Sequence, residues 1–219
     1  MTSSRREFLH DVRDHRMTIR QDEDIYRHLV FARPDSLNRR FSLITWPGYL
    51  TICGDCDDFM FSRLRDMFEF FRFAGPDYEK SDRVNTGYWA GKCTSAAPRG
   101  GIMTFSEDLY REAIIRNFRD FSEGWPVADK RGLWTDVRDT LLDPGPDNEY
   151  DAISATISFR CPVSGHHPFQ DFWDTTLVEP AFGFVWACHA IQWGIKQYDL
   201  HHQGRTQAHH DAAVMTGQR

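Results

Sequence analysis

The first part of the chain alternates apolar and polar residues over short runs, which is typical of β-strands with one buried face. Turn residues such as Pro34, Pro47-Gly48 and Gly54-Asp55 separate these runs. Because no helical pattern intervenes, the strands are predicted to form an antiparallel meander. We predict four or five strands, drawn from residues 17–20, 26–33, 41–46, 49–53 and 59–62.

Helical spacing marks the other elements. A short N-terminal helix is predicted over residues 5–13, and Leu64, Met67, Phe68 and Phe71 follow the spacing of one helix face. A capping box at residues 104–107, or Ser106 alone, predicts the start of the next helix. Further helices are predicted over 129–142, after Asp147 with Tyr150, Ile153 and Ile157 as its stripe, over 169–177 after Pro168, and from Pro180 to about Asp199. The last is apolar nearly all round, which predicts a central place in a helical bundle.

These patterns predict an α+β fold, with an N-terminal helix and an antiparallel β-meander packed with a mostly helical C-terminal half. We predict one domain over residues 1–199, with a sheet part to about residue 75, a loop over 76–104 and a helical part over 105–199. Residues 200–219 are polar and histidine-rich, and predict a tail. A loop this long is unusual in a compact domain, so Tyr88 and Trp89 within it are candidate binding residues.

Composition narrows the class of protein. The 219 residues include 17 Phe, 7 Trp and 7 Tyr, which excludes a disordered chain. The net charge is −6, and residues 129–179 alone hold 10 acidic against 4 basic side chains. This balance disfavours a general phosphate-backbone binder. It predicts an acidic helical surface with Asp136, Asp139 and Asp143 as candidate contacts to a basic partner, a solvated helix face being the alternative.

Targeting and redox signals are few. The longest apolar run, residues 181–191, is shorter than the ~20 residues that a membrane span needs, and the charged N-terminus does not resemble a secretory signal. Five scattered cysteines do not form the framework of a secreted disulfide protein. We therefore expect a soluble intracellular protein with no membrane partner. The oligomeric state stays open.

The most site-like cluster contains His166, His167, Asp171 and Asp174. If Pro168 opens a helix, the two carboxylates share a face near the histidines, and such a group can hold a divalent metal or perform acid–base chemistry. The alternative is structural, since aspartate near a helix N-terminus is stabilised by the helix dipole. An enzyme using this cluster is one alternative function.

Other candidate chemistry is weaker. Cys53 and Cys56 form a CxxC on a turn with no second pair, which favours two incidental thiols over a zinc or redox site. His189, Gln192 and Lys196 form a polar stripe on the last helix, which favours a satisfied polar seam over a catalytic row. The chain lacks the common nucleotide-binding and hydrolase motifs, so we predict no cofactor and assign no metal ligand.

A nucleic-acid-binding sheet is the other alternative function. Six arginines and three aromatic residues lie along the predicted strands, as in a stacking platform, but acidic residues interrupt them. They are Arg16, Arg20, Arg27, Arg33, Arg39 and Arg40, with Tyr26, Phe31 and Phe41. Nucleic acid is therefore a less favoured partner than protein.

Several stretches carry a family resemblance. They are DHRMTI at 14–19, YRHL at 26–29, FSLITWPGYL at 41–50, FSR at 61–63, DMFEFF at 66–71, GYW at 87–89, FQDFW at 169–173 and AIQWGIKQYD at 190–199. Together they resemble a family of uncharacterised accessory proteins encoded by tailed phages and prophages. The resemblance covers most of the chain to about residue 199 and implies no catalytic residue or cofactor.

The resemblance implies a protein made in the cytoplasm of an infected bacterium. Soluble, acidic phage proteins of this size often bind a host or phage protein, and some inhibit host defence, as anti-CRISPR proteins do. Our leading prediction is a phage-encoded interaction factor that acts by stoichiometric binding. Either the acidic helical surface or the aromatic residues of the loop would contact the partner.

Overall fold

The computed structural model describes residues 5–72, 84–97, 101–162 and 164–204. In chain order the elements are α1 (Arg5–Val12), β1 (Arg16–Glu23), β2 (Tyr26–Ala32), β3 (Phe41–Trp46), β4 (Tyr49–Gly54), β5 (Phe59–Ser62), α2 (Met67–Phe71), α3 (Thr86–Ala90), β6 (Cys93–Ala96), β7 (Met103–Phe105), α4 (Glu107–Phe121), α5 (Val127–Val137), a π-helical turn (Arg138–Leu142), α6 (Glu149–Ser158), a 3-10 turn (Phe172–Asp174), β8 (Val178–Pro180) and α7 (Phe182–His202). The α+β prediction is confirmed.

Strands β1 to β6 form one antiparallel sheet in sequence order, which confirms the predicted meander. Alternation sets its two faces: Phe31 pairs with Phe41 and Leu43 with Ile52, and all four side chains lie buried on the inner face. The partly exposed residues between them lie on the outer face.

The predicted loop over 76–104 is corrected where the structure describes it. Asn85 caps α3 by accepting a hydrogen bond from the backbone N–H of Tyr88, and β6 adds a sixth strand beside β5. The sequence of strand β6 shows no apolar alternation. Backbone pairing at the sheet edge holds the strand, so it does not need a buried apolar face. Residues 76–83 and 98–100 of the predicted loop lie outside the described residues.

Helix α7 lies with the sheet, which corrects its predicted place in a helical bundle. It contacts α1, α2, α3 and β1, and its core residues share one cluster with the inner sheet face. Because α1, α2 and α3 also contact it, α7 is buried on nearly every side, which explains its apolar sequence. The helix continues to His202, past the predicted start of the tail at residue 200. Residues 205–219 of the predicted tail lie outside the described residues.

The backbone of α7 approaches the sheet most closely at Gly194. A Cβ built there would lie 2.7 Å from Cδ1 of Leu43 and 3.1 Å from Cζ of Phe31. Any side chain at this position would therefore push the helix away from the sheet or displace both neighbours.

The contacts divide the chain into two compact units. Unit 1 comprises residues 1–102 and 180–219, and unit 2 comprises 103–179. Unit 2 has its own core, built around Tyr110, Ile114, Leu133 and Phe172. The single domain over residues 1–199 that the sequence predicts stays a prediction.

Helix ends in unit 2 correct several boundaries. Ser106 caps α4 by accepting from the N–H of Leu109, which confirms one of the two predicted starts. Asn148, rather than Asp147, caps α6. The helix predicted over 169–177 is only a 3-10 turn, because Asp171 adopts a left-handed conformation with φ of 59° and Thr175 is extended.

Arg27 carries a charge on the inner face of the sheet. Its Nη1 and Nη2 donate to the two carboxylate oxygens of Asp66 at 2.9 and 3.0 Å, and its Nε donates to the Tyr198 hydroxyl at 3.3 Å. The guanidinium also lies 4.6 Å from the centre of the Phe68 ring. These partners satisfy a charge that burial would otherwise make costly.

Substituting two helical glycines by alanine should change stability in opposite directions. Gly194→Ala is expected to lower the free energy of unfolding by about 1 kcal/mol, since overpacking outweighs the gain in helix propensity. Gly132→Ala is its control: Gly132 lies within α5, and a Cβ there meets nothing within 4 Å. It is expected to raise stability by about 0.5–1 kcal/mol. Urea denaturation measures both, and changes of the same sign would contradict the close packing.

Removing Arg27 should destabilise the fold strongly. Arg27→Met leaves the Asp66 carboxylate without its partner in a mostly buried place, and we expect a loss of about 3 kcal/mol in urea denaturation. Arg65→Ala removes an exposed arginine that lies 3.7 Å from Asp24 and is expected to cost about 0.5 kcal/mol or less. If the two variants lost equal free energy of unfolding, the buried Arg27–Asp66 pair would contribute no more to stability than an exposed ion pair.

Candidate functional site

The histidine–aspartate cluster does not form the predicted arrangement. His166, Asp171 and Asp174 are exposed, and the helix face that would have aligned the two carboxylates is absent from the described chain between Pro168 and Leu177. Nδ1 of the half-buried His167 accepts a hydrogen bond from the Phe169 N–H at 3.3 Å. Across the described ranges, no group of three or more His, Cys, Asp or Glu side chains could hold a metal ion.

The two loop aromatics separate into one surface and one core residue. Trp89 is buried and packs edge-on against Phe71, with ring centres 4.7 Å apart, which corrects its prediction as a binding residue. Tyr88 is half exposed, and the Lys92 ammonium lies 5.4 Å from its ring centre. A binding role for Tyr88 stays a prediction.

The three candidate aspartates on the α5 side do not form an open acidic surface. Arg138 contacts Asp139 at 2.7 Å and Asp143 at 3.4 Å, so it neutralises part of their charge. The neighbouring Asp139 also raises the pKa of the Arg138 guanidinium. Asp136 is only half exposed. This part of the surface therefore offers a partner less negative charge than its sequence suggests.

A second surface of unit 2 is not indicated by the sequence pattern. Tyr150 and Ile157 are seven residues apart on α6, hence on one helix face, and are 79% and 40% exposed. Trp173 is 66% exposed on the 3-10 turn, which contacts α6. We call these three residues the α6 patch. The sequence predicted Tyr150 and Ile157 as a core stripe, but the buried face of α6 carries Ala152 and Thr156 instead.

The segment that contains the α6 patch is strongly acidic. Residues 143–179 hold seven acidic side chains and one basic side chain, Arg160. Arg160 donates to the carbonyl oxygens of Ile157 and Phe159, at 2.8 and 2.9 Å. The exposed carboxylates are Asp143, Asp147, Asp151, Asp171 and Asp174. Apolar and aromatic side chains with acidic neighbours can bind a partner surface that is apolar at its centre and basic at its edge.

The charge separates between the units. Unit 2 carries 15 acidic and 7 basic side chains, a net charge of −8, so the remainder of the chain carries +2. The net charge of −6 for the whole chain therefore conceals one acidic and one slightly basic part. Charge complementarity must be judged for each unit by itself.

The CxxC thiols lie in unit 1 and are both free. Nη1 of Arg39 donates to Sγ of Cys56 at 2.7 Å, yet burial dominates and raises the pKa of the Cys56 thiol. Burial also raises the pKa of Cys53. Both thiols are protonated at neutral pH and are weak nucleophiles in that form.

The polar stripe of α7 lines a small cavity with α1. His189, Gln192 and Lys196 contribute to its wall, and its volume of about 40 Å³ has room for a few water molecules. The His189 ring stacks on Phe8 with centres 5.9 Å apart, and only 5% of the residue is exposed. Burial, together with the nearby Arg5, lowers the pKa of His189 to about 4. His189 is therefore neutral in the folded protein at pH 7.

The sheet residues of the nucleic-acid alternative do not all share one surface. Phe31 and Phe41 are core residues of the inner face, and Arg27 is buried with Asp66. Arg39 contacts Asp11 at 3.3 Å. The prediction that Phe31 and Phe41 form part of a stacking platform is therefore wrong. Strand alternation turns both rings toward α7 rather than toward solvent.

No protein-family model matches the chain, and comparisons with curated proteins and with solved structures find no match. Within the described ranges, no helix has the length and apolar character needed to span a membrane. The resemblance to phage accessory proteins stays a prediction, and the side-chain geometry carries the functional argument.

Acid should destabilise the protein through His189. Its pKa is about 4 when folded and about 6.5 when unfolded, so the unfolded chain binds more protons between these values. The stabilising contribution is complete above pH 6.5 and is lost as the pH falls toward 4. His189→Gln is expected to reduce the slope of unfolding free energy against pH in this window. Some slope should remain, because burial also lowers the pKa of His15. An unchanged slope in urea denaturation would contradict this assignment.

Proposed function

We propose that this protein acts by stoichiometric binding to a protein partner through the α6 patch. The observation that carries the proposal is the exposure of Trp173 and Tyr150, at 66% and 79%. Other aromatic side chains of unit 2, such as Tyr110, Phe169 and Phe172, are fully buried. Exposed tryptophan and tyrosine are the residue types that most often dominate the energy of protein interfaces.

The acidic neighbours of the patch specify the chemistry of the partner. Asp143 contacts Arg138, but residues 147–179 still hold six carboxylates against one arginine, a balance that would repel nucleic acid and attract a basic protein surface. Long-range attraction of this kind raises the association rate, while burial of the aromatic rings slows dissociation. The partner that fits is therefore a protein with an apolar groove bordered by lysine or arginine.

The biological setting belongs to the same proposal. The resemblance to phage accessory proteins supports action in the cytoplasm of an infected bacterium, on a host or phage protein. Inhibition of a host defence protein, as by an anti-CRISPR protein, needs only occupancy of a functional surface and no catalytic group. The geometry of the α6 patch supports this mode of action because it offers contact area rather than converging reactive side chains.

Substitution of the two aromatic residues should weaken binding of the partner. The tagged protein is incubated with lysate of infected bacteria, and the captured protein is then purified and titrated by calorimetry. We expect a one-to-one complex and at least a tenfold loss of affinity in Trp173→Ala/Tyr150→Ser, because interface hot spots contribute about 2 kcal/mol or more each. Raising the salt concentration should slow association.

Val127→Ser supplies the matched control. Val127 is also 66% exposed in unit 2, but it lies at the start of α5 outside the patch. This variant is expected to capture the same protein with unchanged affinity. If the double variant captured that protein as well as Val127→Ser did, the α6 patch would not be the binding surface.

A further inference from the structure

Unit 1 carries a basic cavity where α1 meets the first two strands. Its wall is formed by Arg13, Asp14, His15, Arg16, Arg33 and Pro34, and its volume is about 510 Å³. Helix α1 ends at Val12, β1 begins at Arg16, and Arg16 pairs with Ala32 at the end of β2. The sheet register therefore brings these chain segments together. We call this cavity the arginine pocket.

The arginine pocket holds more positive charge than its own carboxylate neutralises. Nε of Arg13 and Nη2 of Arg33 contact the same oxygen of Asp14, at 3.3 and 3.4 Å. The side chain of Arg16 makes no hydrogen bond or ion pair with any residue that the structure describes. Three arginines against one aspartate leave a local charge of +2, since His15 is neutral. Nearby Asp11 contacts Arg39 at 3.3 Å.

Structural roles account for only part of this cluster. The carbonyl end of α1 favours one cation nearby, and Asp14 favours a second. Neither accounts for Arg16. Nε of Arg33 is also buried without a hydrogen-bond partner, which leaves its terminal nitrogens to meet a ligand in the cavity.

His15 adds a polar group of fixed orientation to the same wall. Its Nε2 donates to the carbonyl oxygen of Arg39 at 2.9 Å, and burial lowers its pKa. The ring is therefore neutral, and its Nδ1 is a buried acceptor without a partner. Two side chains of this wall thus each hold a buried polar atom without a partner, which is unusual in a folded protein.

We propose that the arginine pocket binds a phosphate group, either as the free ion or as a monoester. The guanidinium groups of Arg16 and Arg33 match phosphate oxygens in geometry, and each can donate two parallel hydrogen bonds. A phosphate group with two negative charges balances the local charge of +2. A carboxylate has one negative charge and would leave a local charge of +1. Asp14 competes with the ligand, since it already contacts Arg13 and Arg33.

The proposal is independent of the α6 patch. The arginine pocket belongs to unit 1 and the α6 patch to unit 2, and they share no residue. A failure of phosphate binding would leave the proposed protein interaction unaffected, and the reverse also holds.

Calorimetric titration at pH 7.5 and constant ionic strength tests the pocket, with inorganic phosphate, O-phosphoserine and acetate as probes. We expect saturable binding of one phosphate group, and at least tenfold weaker binding of acetate. Binding of O-phosphoserine with equal or greater affinity identifies a monoester as the ligand, and binding of inorganic phosphate alone identifies the free ion. Absence of saturable binding for both phosphate probes would overturn the proposal.

Variants of the pocket provide the second arm. Arg16→Ala and Arg33→Ala are each expected to weaken phosphate binding at least tenfold, whereas Asp14→Asn should strengthen it severalfold by freeing Arg13 and Arg33. The control is Arg63→Ala, which removes one exposed arginine outside the pocket and should change affinity less than twofold. Because Arg16 has no described side-chain partner, its variant should keep the thermal stability of the parent. If Arg16→Ala and Arg63→Ala lost phosphate affinity equally, general surface charge would explain the binding and the proposal would be overturned.

Discussion

The close approach of α7 to the inner face of the sheet is the constraint on which unit 1 depends. At Gly194 no helix side chain separates the backbone of α7 from the side chains of Leu43 and Phe31, so the helix approaches the sheet closely. With α1, α2 and α3 around it, α7 is buried on nearly every side. Arg27 follows from the same geometry: strand alternation places it on the inner face, and Asp66 and the Tyr198 hydroxyl supply the partners that its charge requires.

Periodicity predicted which residues are buried more reliably than what buries them. The first five strands alternate clearly, and their antiparallel order follows from the short turns between them. Strand β6 could not be found in this way, because residues 93–96 pair through their backbone at a sheet edge and carry little apolar alternation. Likewise, an all-apolar helix indicates burial on every side but does not distinguish a bundle from a sheet with flanking helices. The position of α7 is therefore a tertiary property that its own sequence leaves open.

The candidate sites differ from prediction for a related reason. Tyr150 and Ile157 follow helical spacing, and burial was expected from their apolar character. The face of α6 that is buried instead carries Ala152 and Thr156, whose small size permits close packing. Thr156 tolerates burial because its hydroxyl lies 3.0 Å from the Tyr110 hydroxyl and donates to the Ala152 carbonyl at 2.7 Å. A sequence pattern cannot report this hydrogen bond, since its two partners are 46 residues apart. The exposure of the larger side chains therefore depends on tertiary contacts that the sequence pattern does not contain.

Charge acts locally in this protein. A net charge of −6 suggests one mildly acidic surface, but unit 2 carries −8 and the rest of the chain +2. Within unit 1 three arginines line one cavity with a single aspartate, where the Arg16 side chain has no described partner and Asp14 contacts two arginines at once. Within unit 2 the chain segment with the exposed aromatic side chains is rich in carboxylates, while Arg138 neutralises part of the charge of Asp139 and Asp143. Since screening limits surface charges to a range of about 8 Å at physiological salt, each surface selects its ligand by the charges within it rather than by the net charge of the chain.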